Sequence, residues 1–312
     1  MALQKELWLQ NIQEQLFLND EFMTAVGQSH DSYVNNITVH IPQAGSNPSV
    51  SKNLTSFPAA IGSRTDADLT YNIDLYYTQP IRVGVDETQY LSYDKRASVL
   101  SSHMKKLRNV MGNNLLYKWA TITSAASSLQ VRTSGSAVAS ALAPSATGTR
   151  KKVALQEFYD AAAILDSQNL NPGDRRFAII PSAMYWQLIS DSNISKNLEW
   201  GASPVAPTGM VPTVAGITLL KRSAVTVFDN TGTPVIKTVG DEGTPTSPTT
   251  TDNMGILVVS ESYVSKALGS IQVFQENGKA DMYGDVLSAV VAFGGSKMRT
   301  NGEGIVSIIQ SA

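Results

Sequence analysis

Three histidines, His30, His40 and His103, are the whole supply of imidazole in this chain, and cysteine is absent. The common zinc and iron–sulfur sites draw on these two residue types, and no pair of histidines here has helix or strand ligand spacing. The absence of cysteine also removes disulfides and thiol nucleophiles. Ser49 and Lys52 make a formal Ser-x-x-Lys match, but a serine–lysine nucleophile needs a helix start, a desolvated lysine and partner motifs. This pair instead lies in a polar Pro/Gly/Asn/Ser segment. The Gly-rich "FGGSKMRTNGEG" contains neither the P-loop pattern nor the dinucleotide fingerprint, so it gives nucleotide binding no support. The carboxylates are scattered along the chain. No catalytic, cofactor-binding or metal site is expected.

The elements around these residues belong to a chain of 312 residues with 42% hydrophobic content, enough for one large or two ordinary packed domains. Charged residues are only 16% of the chain, and 24 Lys+Arg against 26 Asp+Glu give a net charge of -2. A protein that grips nucleic acid electrostatically is therefore not expected, while a surface of Ser, Thr, Asn, Gln, Gly and Ala suits extensive contact. The N-terminal "MALQKELWLQNIQEQLFLND" lacks a basic stretch followed by an apolar core, and no later run has the length of a membrane span. Folding in a cytoplasm is expected, where the Asn-x-Ser/Thr matches at Asn36, Asn53 and Asn193 are chance.

Residues 1–30 read as an amphipathic helical arm, with Leu3, Leu7, Ile12 and Leu16 among Gln, Glu and Asn. The pattern then turns to period two. Ile37, Val39 and Ile41 alternate with polar residues until Pro42, which is expected to stop the strand. In "LTYNIDLYYT" Leu69, Tyr71, Ile73, Leu75 and Tyr77 share one face. Two such strands around a polar tip read as a large β-hairpin. Because a lone hairpin is marginal in water and its apolar face has no evident local cover, another subunit is the expected cover.

From Ser92 to Trp119 the spacing of Leu100, Met104, Leu107, Met111, Leu115 and Trp119 predicts a helix of roughly 40 Å, capped by Ser92. Its other face carries Lys95, Arg96, Lys105, Lys106, Arg108 and Lys118, either a solvated face or one placed near a polyanion; His103 is read as solvated on this side. The Ser/Ala/Thr/Gly-rich stretch to Arg150 reads as a loose connection. A second helix follows with Leu155, Phe158, Ala162 and Leu165 on one stripe. "NPGDRRFAIIPSAMYWQLI" then gives a turn, a strand Phe177 to Ile180 and a helix capped by Ser182 that buries Met184, Trp186, Leu188 or their neighbours. Arg175 and Arg176 read as ion-pairing or solvated. Beyond Gly216, "ITLLKRS", "AVTVF", "GILVVS", "IQVFQE", "VLSAVVAFGGSKMRT" and "GIVSIIQ" read as strands, with a surface loop between Asp229 and Asn253. The fold class is α+β.

In this order, "LNDEFMTAVGQSHDSYVNNITVHIPQAG", "RTDADLTYNIDLYYTQPIRV", "LSYDKRASVLSSHMKKLRNVMGNNLLYKWA", "FYDAAAILDSQNL" with the Pro-Gly-x-Arg strand, and "GIVSIIQ" resemble segments of tailed-bacteriophage major capsid proteins. The resemblance implies the Hong Kong ninety-seven type capsid fold: an N-terminal arm (1–32), an extended E-loop hairpin (33–84), a peripheral domain with the spine helix (85–150), an axial domain (151–268) and C-terminal strands returning to the peripheral domain (269–312). It implies self-assembly into pentamers and hexamers of an icosahedral head that encloses double-stranded DNA without sequence-specific binding. The implied partners are other copies of the chain, a separate scaffolding protein, a portal and decoration proteins, with no membrane. The implied location is the virion, assembled in the bacterial host cytoplasm. Lys52, Arg64 and Asp66 on the hairpin tip are candidate inter-subunit contacts. Lys95, Arg96, Lys105, Lys106 and Arg108 are the candidate DNA-facing residues. No Lys–Asn crosslink is predicted from Lys52 and Asn301. The competing readings are an encapsulin-like nanocompartment shell, a decoration or tail-tube protein, and an enzyme with an unrecognised site.

Overall fold

The computed structural model describes residues 21–31, 34–35, 37–45, 49–53, 57, 61–84, 95–120, 128–171, 173–190, 213–279 and 281–311. Residues 1–20 of the arm expected over 1–32, and the Ser92 cap, lie outside these residues. The chain begins with helix α1 (Glu21–Ala25), then strands β1 (Gln28–Ser29), β2 (Val34–Asn35), β3 (Thr38–Gln43), β4 (Ala67–Asn72), β5 (Asp74–Tyr77) and β6 (Ile81–Gly84). The long helix α2 (Lys95–Trp119) leads to β7 (Gln130–Arg132), β8 (Ala137–Ala139) and β9 (Thr149–Lys151). After α3 (Leu155–Ser167), β10 (Arg176–Pro181) and α4 (Ser182–Ile189) come β11 (Thr213–Val214), β12 (Ile217–Arg222), β13 (Thr226–Phe228) and β14 (Asn253–Ser260). The last elements are β15 (Val264–Lys279), β16 (Gly284–Lys297) and β17 (Ile305–Ile309).

Two sheets organise the chain. The seven-stranded sheet runs β11-β12-β10-β14-β17-β7, with β13 also on β14. Alternate residues along its strands enter different cores: Phe177, Ile179, Leu257, Val259 and Ile305 face α2, whereas Ala178, Ile180, Ile256, Val258, Val306 and Ile308 face α3 and α4. A sheet covered on both faces needs near-continuous apolar strands, which "FAII", "GILVV" and "IVSII" supply. The five-stranded sheet runs β1-β15-β16-β5, with β6 also on β16, and packs on the far side of α2. Residues 269–312, expected as one return to the domain of the long helix, divide between the sheets: β15 and β16 pack on α2, and β17 pairs with β14 and β7.

Helix α2 buries Met104, Leu107, Met111, Leu115 and Trp119 on the expected stripe. Trp119 is fully buried, donates Nε1–H to the Ser265 carbonyl at 2.9 Å and meets Phe22 edge to face at 6.1 Å. Close approach of the helix to β16 depends on Gly295. A Cβ there would lie 2.5 Å from the Ser265 carbonyl oxygen and collide with Leu115. The buried ammonium of Lys266 donates to the Met23, Thr24 and Val26 carbonyls, which tethers the C-terminal end of α1 to β15.

Several local expectations change. Pro42 does not stop its strand: β3 continues to Gln43, because β2 pairs only with Thr38 and Val39 and leaves the proline on an open edge where no N–H is required. The alternation of "LTYNIDLYYT" reverses after Ile73, where the chain passes from β3 to β16, so Tyr76 packs inward while Leu75 and Tyr77 are exposed. The stretch read as a loose connection forms β7, β8 and β9, and Arg150 within it is buried, donating Nε–H to Asn253 at 2.5 Å. Ser182 is the first residue of α4 and donates its hydroxyl to the Arg222 carbonyl, while Pro181 occupies the N-cap position. Met184, Tyr185 and Leu188 are buried and Trp186 is exposed. Arg175 pairs with Glu261, and Arg176 with Asp166.

His103, expected to be solvated, is only 7% exposed, and its Nε2 has no hydrogen-bond partner. Burial holds its pKa below the ordinary value of 6.5. Burial does the same for His30, against a smaller opposing effect of Asp31.

Two outcomes follow from this packing. Gly295→Ala should destabilise the unassembled subunit by about 1–3 kcal/mol, read as a lower urea midpoint with an unchanged slope. The unfolded chain takes up protons near pH 6.5 that the folded chain resists at His103 and His30, so stability should fall as pH drops through and below that value. Thermal melts from pH 8 to pH 5 should show this loss, and His103→Leu should flatten part of it.

Candidate assembly surface

The hairpin of β3 and β4 is in register from Thr38 opposite Asn72 to Gln43 opposite Ala67. Its apolar face does have a cover within the same chain. Val39, Ile41, Tyr71 and Ile73 pack with Ala267 of β15 and Ala292 of β16. These small residues let the hairpin base sit flat on the five-stranded sheet. Gln43 donates its side-chain amide to the Met298 carbonyl, and His40 lies 2.7 Å from Asp68 across the strand pair. The base is thus fixed by its own subunit.

At that tip Ile61 is 100% exposed, Val50 94% and Phe57 77%. None of these three side chains belongs to a core of the subunit. The structure brings together two of the three tip residues singled out from sequence: Arg64 donates to Asp66 at 2.6 and 3.1 Å, and the Gly45 amide donates to the same carboxylate at 2.9 Å. The Arg64 hydrogen bond, and then that of Gly45, hold the Asp66 carboxyl below its ordinary pKa. This pair is a clamp across the base of the tip. Lys52 is exposed and makes no ion pair among the described residues.

The basic side of α2 is broken up by carboxylates from three other elements. Arg96 pairs with Asp285 of β16, Lys106 with Glu242 at 2.9 Å and Lys118 with Asp74 of β5 at 2.5 Å. Lys95 is the first residue of the helix, Lys105 is exposed, and Arg108 is half-buried with interactions of its own. Sequence spacing located these cations, but their partners lie as far as residue 285 and could not be read from helical periodicity.

Between α2, β5 and the turn at residues 239–242 lies a groove of about 1180 Å³. Ile37, Leu75, Tyr77 and Ile81 line it and are all substantially exposed, and His103 adds a ring whose Nε2 has no hydrogen-bond partner among the described residues. Reading the sequence missed this groove because its wall depends on the reversal of faces after Ile73. Among the described residues no group of three or more histidines and carboxylates could hold a metal ion, and no helix is long and apolar enough to cross a membrane.

The fold recurs in phage capsids. The capsid structure of the cyanophage P-SCSP1u matches with a TM-score of 0.64 at 16% identity, over 90% of this chain and 85% of that chain. The acid-stable capsid structure of the Helicobacter pylori bacteriophage KHP30 matches with a TM-score of 0.64 at 10% identity, over 95% and 92%. The capsid of Ralstonia phage GP4 matches with a TM-score of 0.61 at 13% identity, over 94% and 91%. At these identities the likeness is one of fold. No curated protein matches the chain. A family model described as Gp10A-like major capsid protein matches residues 83–267, more than half of the chain, and favours a phage head over a nanocompartment shell. With a packed body, an uncovered apolar tip and this family match, the chain belongs to the Gp10A-like major capsid protein family and is a structural, non-enzymatic shell protein of the phage virion.

Proposed function

We propose that the chain forms pentamers and hexamers that close into an icosahedral head around double-stranded DNA, with the hairpin tip lying across a neighbouring subunit. The observation that carries this reading is the contrast within the hairpin: a base packed on its own sheet and a tip that exposes Val50, Phe57 and Ile61. A tip burying these residues on a neighbour removes apolar surface from water at each contact, and many such modest contacts add around a closed shell.

In this reading the peripheral unit comprises α2 and the five-stranded sheet. The axial unit comprises the seven-stranded sheet with α3 and α4, and β17 belongs to it. The two separate cores on either face of the seven-stranded sheet support that division. The net charge of -2 agrees with a shell that encloses DNA without gripping it. The basic residues of α2 add little hold on the DNA, since Arg96 and Lys106 already pair within the subunit. Lys105 is the exposed member of that set that makes no ion pair among the described residues.

Electron cryomicroscopy of the expressed chain, alone and beside a scaffolding protein, tests the reading. Closed shells of pentamers and hexamers are expected. Deleting residues 46–62 should leave the secondary structure and thermal unfolding of the subunit nearly unchanged while closed shells are lost. Shells that form equally well without the tip would remove the hairpin from the assembly mechanism.

A further inference from the structure

We propose that Asn277 is a self-modifying site: the main-chain nitrogen of Gly278 attacks its side-chain amide, and the resulting succinimide opens in water to aspartate or isoaspartate. The chemistry lies at the end of the β15–β16 hairpin and does not depend on how subunits assemble.

The chain contains Asn-Gly twice, at 277–278 and at 301–302. Cyclisation needs an asparagine free to rotate and a following nitrogen that no main-chain carbonyl holds, and glycine places no side chain beside that nitrogen. A paired strand meets neither condition. Asn277 and Gly278 escape the ladder because the β15–β16 register shifts between Glu276 opposite Val286 and Lys279 opposite Gly284, which leaves both residues in a bulge. Both are exposed, and Gly278 takes a φ of +62° with open space where a Cβ would stand.

Two side chains take the places that the ladder vacates. Gln275 donates its amide N–H to Asn277 Oδ1 at 2.6 Å, which stabilises the negative charge that develops on that oxygen during attack. Gly278 donates its N–H to Asp285 Oδ1 at 2.9 Å, so a carboxylate stands as base on the proton that the nucleophile must lose. The Arg96 ion pair holds Asp285 in position. Nucleophile and target belong to adjacent residues, so ring closure requires rotation only about the bonds of Asn277 itself.

In the first step the Gly278 nitrogen bonds to Asn277 Cγ. Its proton goes to Asp285 and is returned, directly or through water, to the departing side-chain nitrogen, which leaves as ammonia. Water then adds to one of the two ring carbonyls and breaks the bond from that carbon to the Gly278 nitrogen. Opening at Cγ gives aspartate; opening at the main-chain carbonyl gives isoaspartate, with an added carbon in the main chain. No electrons are exchanged with an outside reagent. Either product adds a carboxylate to a hairpin end that already carries Glu276, Asp281 and Asp285.

The second Asn-Gly is an internal control. Gly302 is buried, and its N–H donates to the Arg299 carbonyl at 3.1 Å, so this nitrogen is committed to the main chain.

Peptide mapping by mass spectrometry of purified subunit kept warm at neutral pH tests the proposal, with isoaspartate as the product that only the ring can give. Isoaspartate should accumulate at 277 on the order of ten-fold faster than at 301 in the folded subunit, and the two sites should react alike in urea. Gln275→Ala and Asp285→Asn should each slow the reaction at 277 on the order of ten-fold, while leaving 301 and both sites in urea unchanged. Asp285→Asn keeps an oxygen toward Gly278 but accepts no proton. Gln275 is exposed, so its replacement decides the matter where the Asp285 variant fails to fold. Equal rates at the two sites of the folded subunit, no isoaspartate at 277, or a rate at 277 that neither substitution changes would overturn the proposal.

Discussion

The whole subunit depends on β14 being hydrogen-bonded along both edges while covered on both faces. All eight residues from Asn253 to Ser260 are buried, and their pairing partners are β10 on one side and β17 on the other, with β13 completing the N-terminal end. A buried amide or carbonyl without a partner costs several times what a formed hydrogen bond contributes net, so β14 is viable only when these remote segments have arrived. Once they have, its alternate side chains commit the chain to two cores. Ile256 and Val258 require α3 and α4 on one face, and Leu257 and Val259 require α2 on the other. Helix α2 in turn needs the five-stranded sheet behind it, and the hairpin base sits on that sheet through Ala267 and Ala292. The position of the tip is therefore a consequence of strand pairing far from it.

The sequence discloses this architecture unevenly, and the reasons are physical. Strands β12 to β17 could be read because β-branched and aromatic runs bounded by Gly, Pro and Asn carry their signal locally. Helix α2 showed its buried stripe through a spacing of three and four that survives from Met104 to Trp119. Strands β7 to β9 were illegible, since three-residue strands with at most one valine apiece are too short for a pattern of their own and exist by pairing with β17 or with each other. Ile73 hid a change of sheet. Period two predicted one face for Leu69 through Tyr77, and transfer to β16 turned Leu75 and Tyr77 outward, which built the groove wall. His103 was misplaced for a related reason: its neighbours in sequence are basic, but its neighbours in space are a strand and a turn.

The same distinction explains why the tip charges were only half legible. Arg64 and Asp66 are two residues apart and clamp the loop, as close spacing allows, so their contribution is local and screened by solvent. The cations of α2 found carboxylates up to 189 positions away in sequence, at Asp285 for Arg96. Such long-range pairing ties α2 to its own subunit, while large apolar side chains stay exposed at the tip, along the groove and also at Tyr159, Trp186, Val235, Phe274, Met282 and Tyr283.

Apolar surface left exposed on a well-packed body fits what a shell subunit must do. A core held by two-sided burial leaves the packed body ordered before copies meet, so less conformational entropy has to be spent on association. The external contacts can then be individually weak. Weak contacts matter here because a misplaced subunit must be able to leave before the shell closes, and closure afterwards makes every remaining contact effectively intramolecular. A subunit with tight, large external patches would lock in errors; one whose separate contacts are small can correct them and obtain its final stability from repetition.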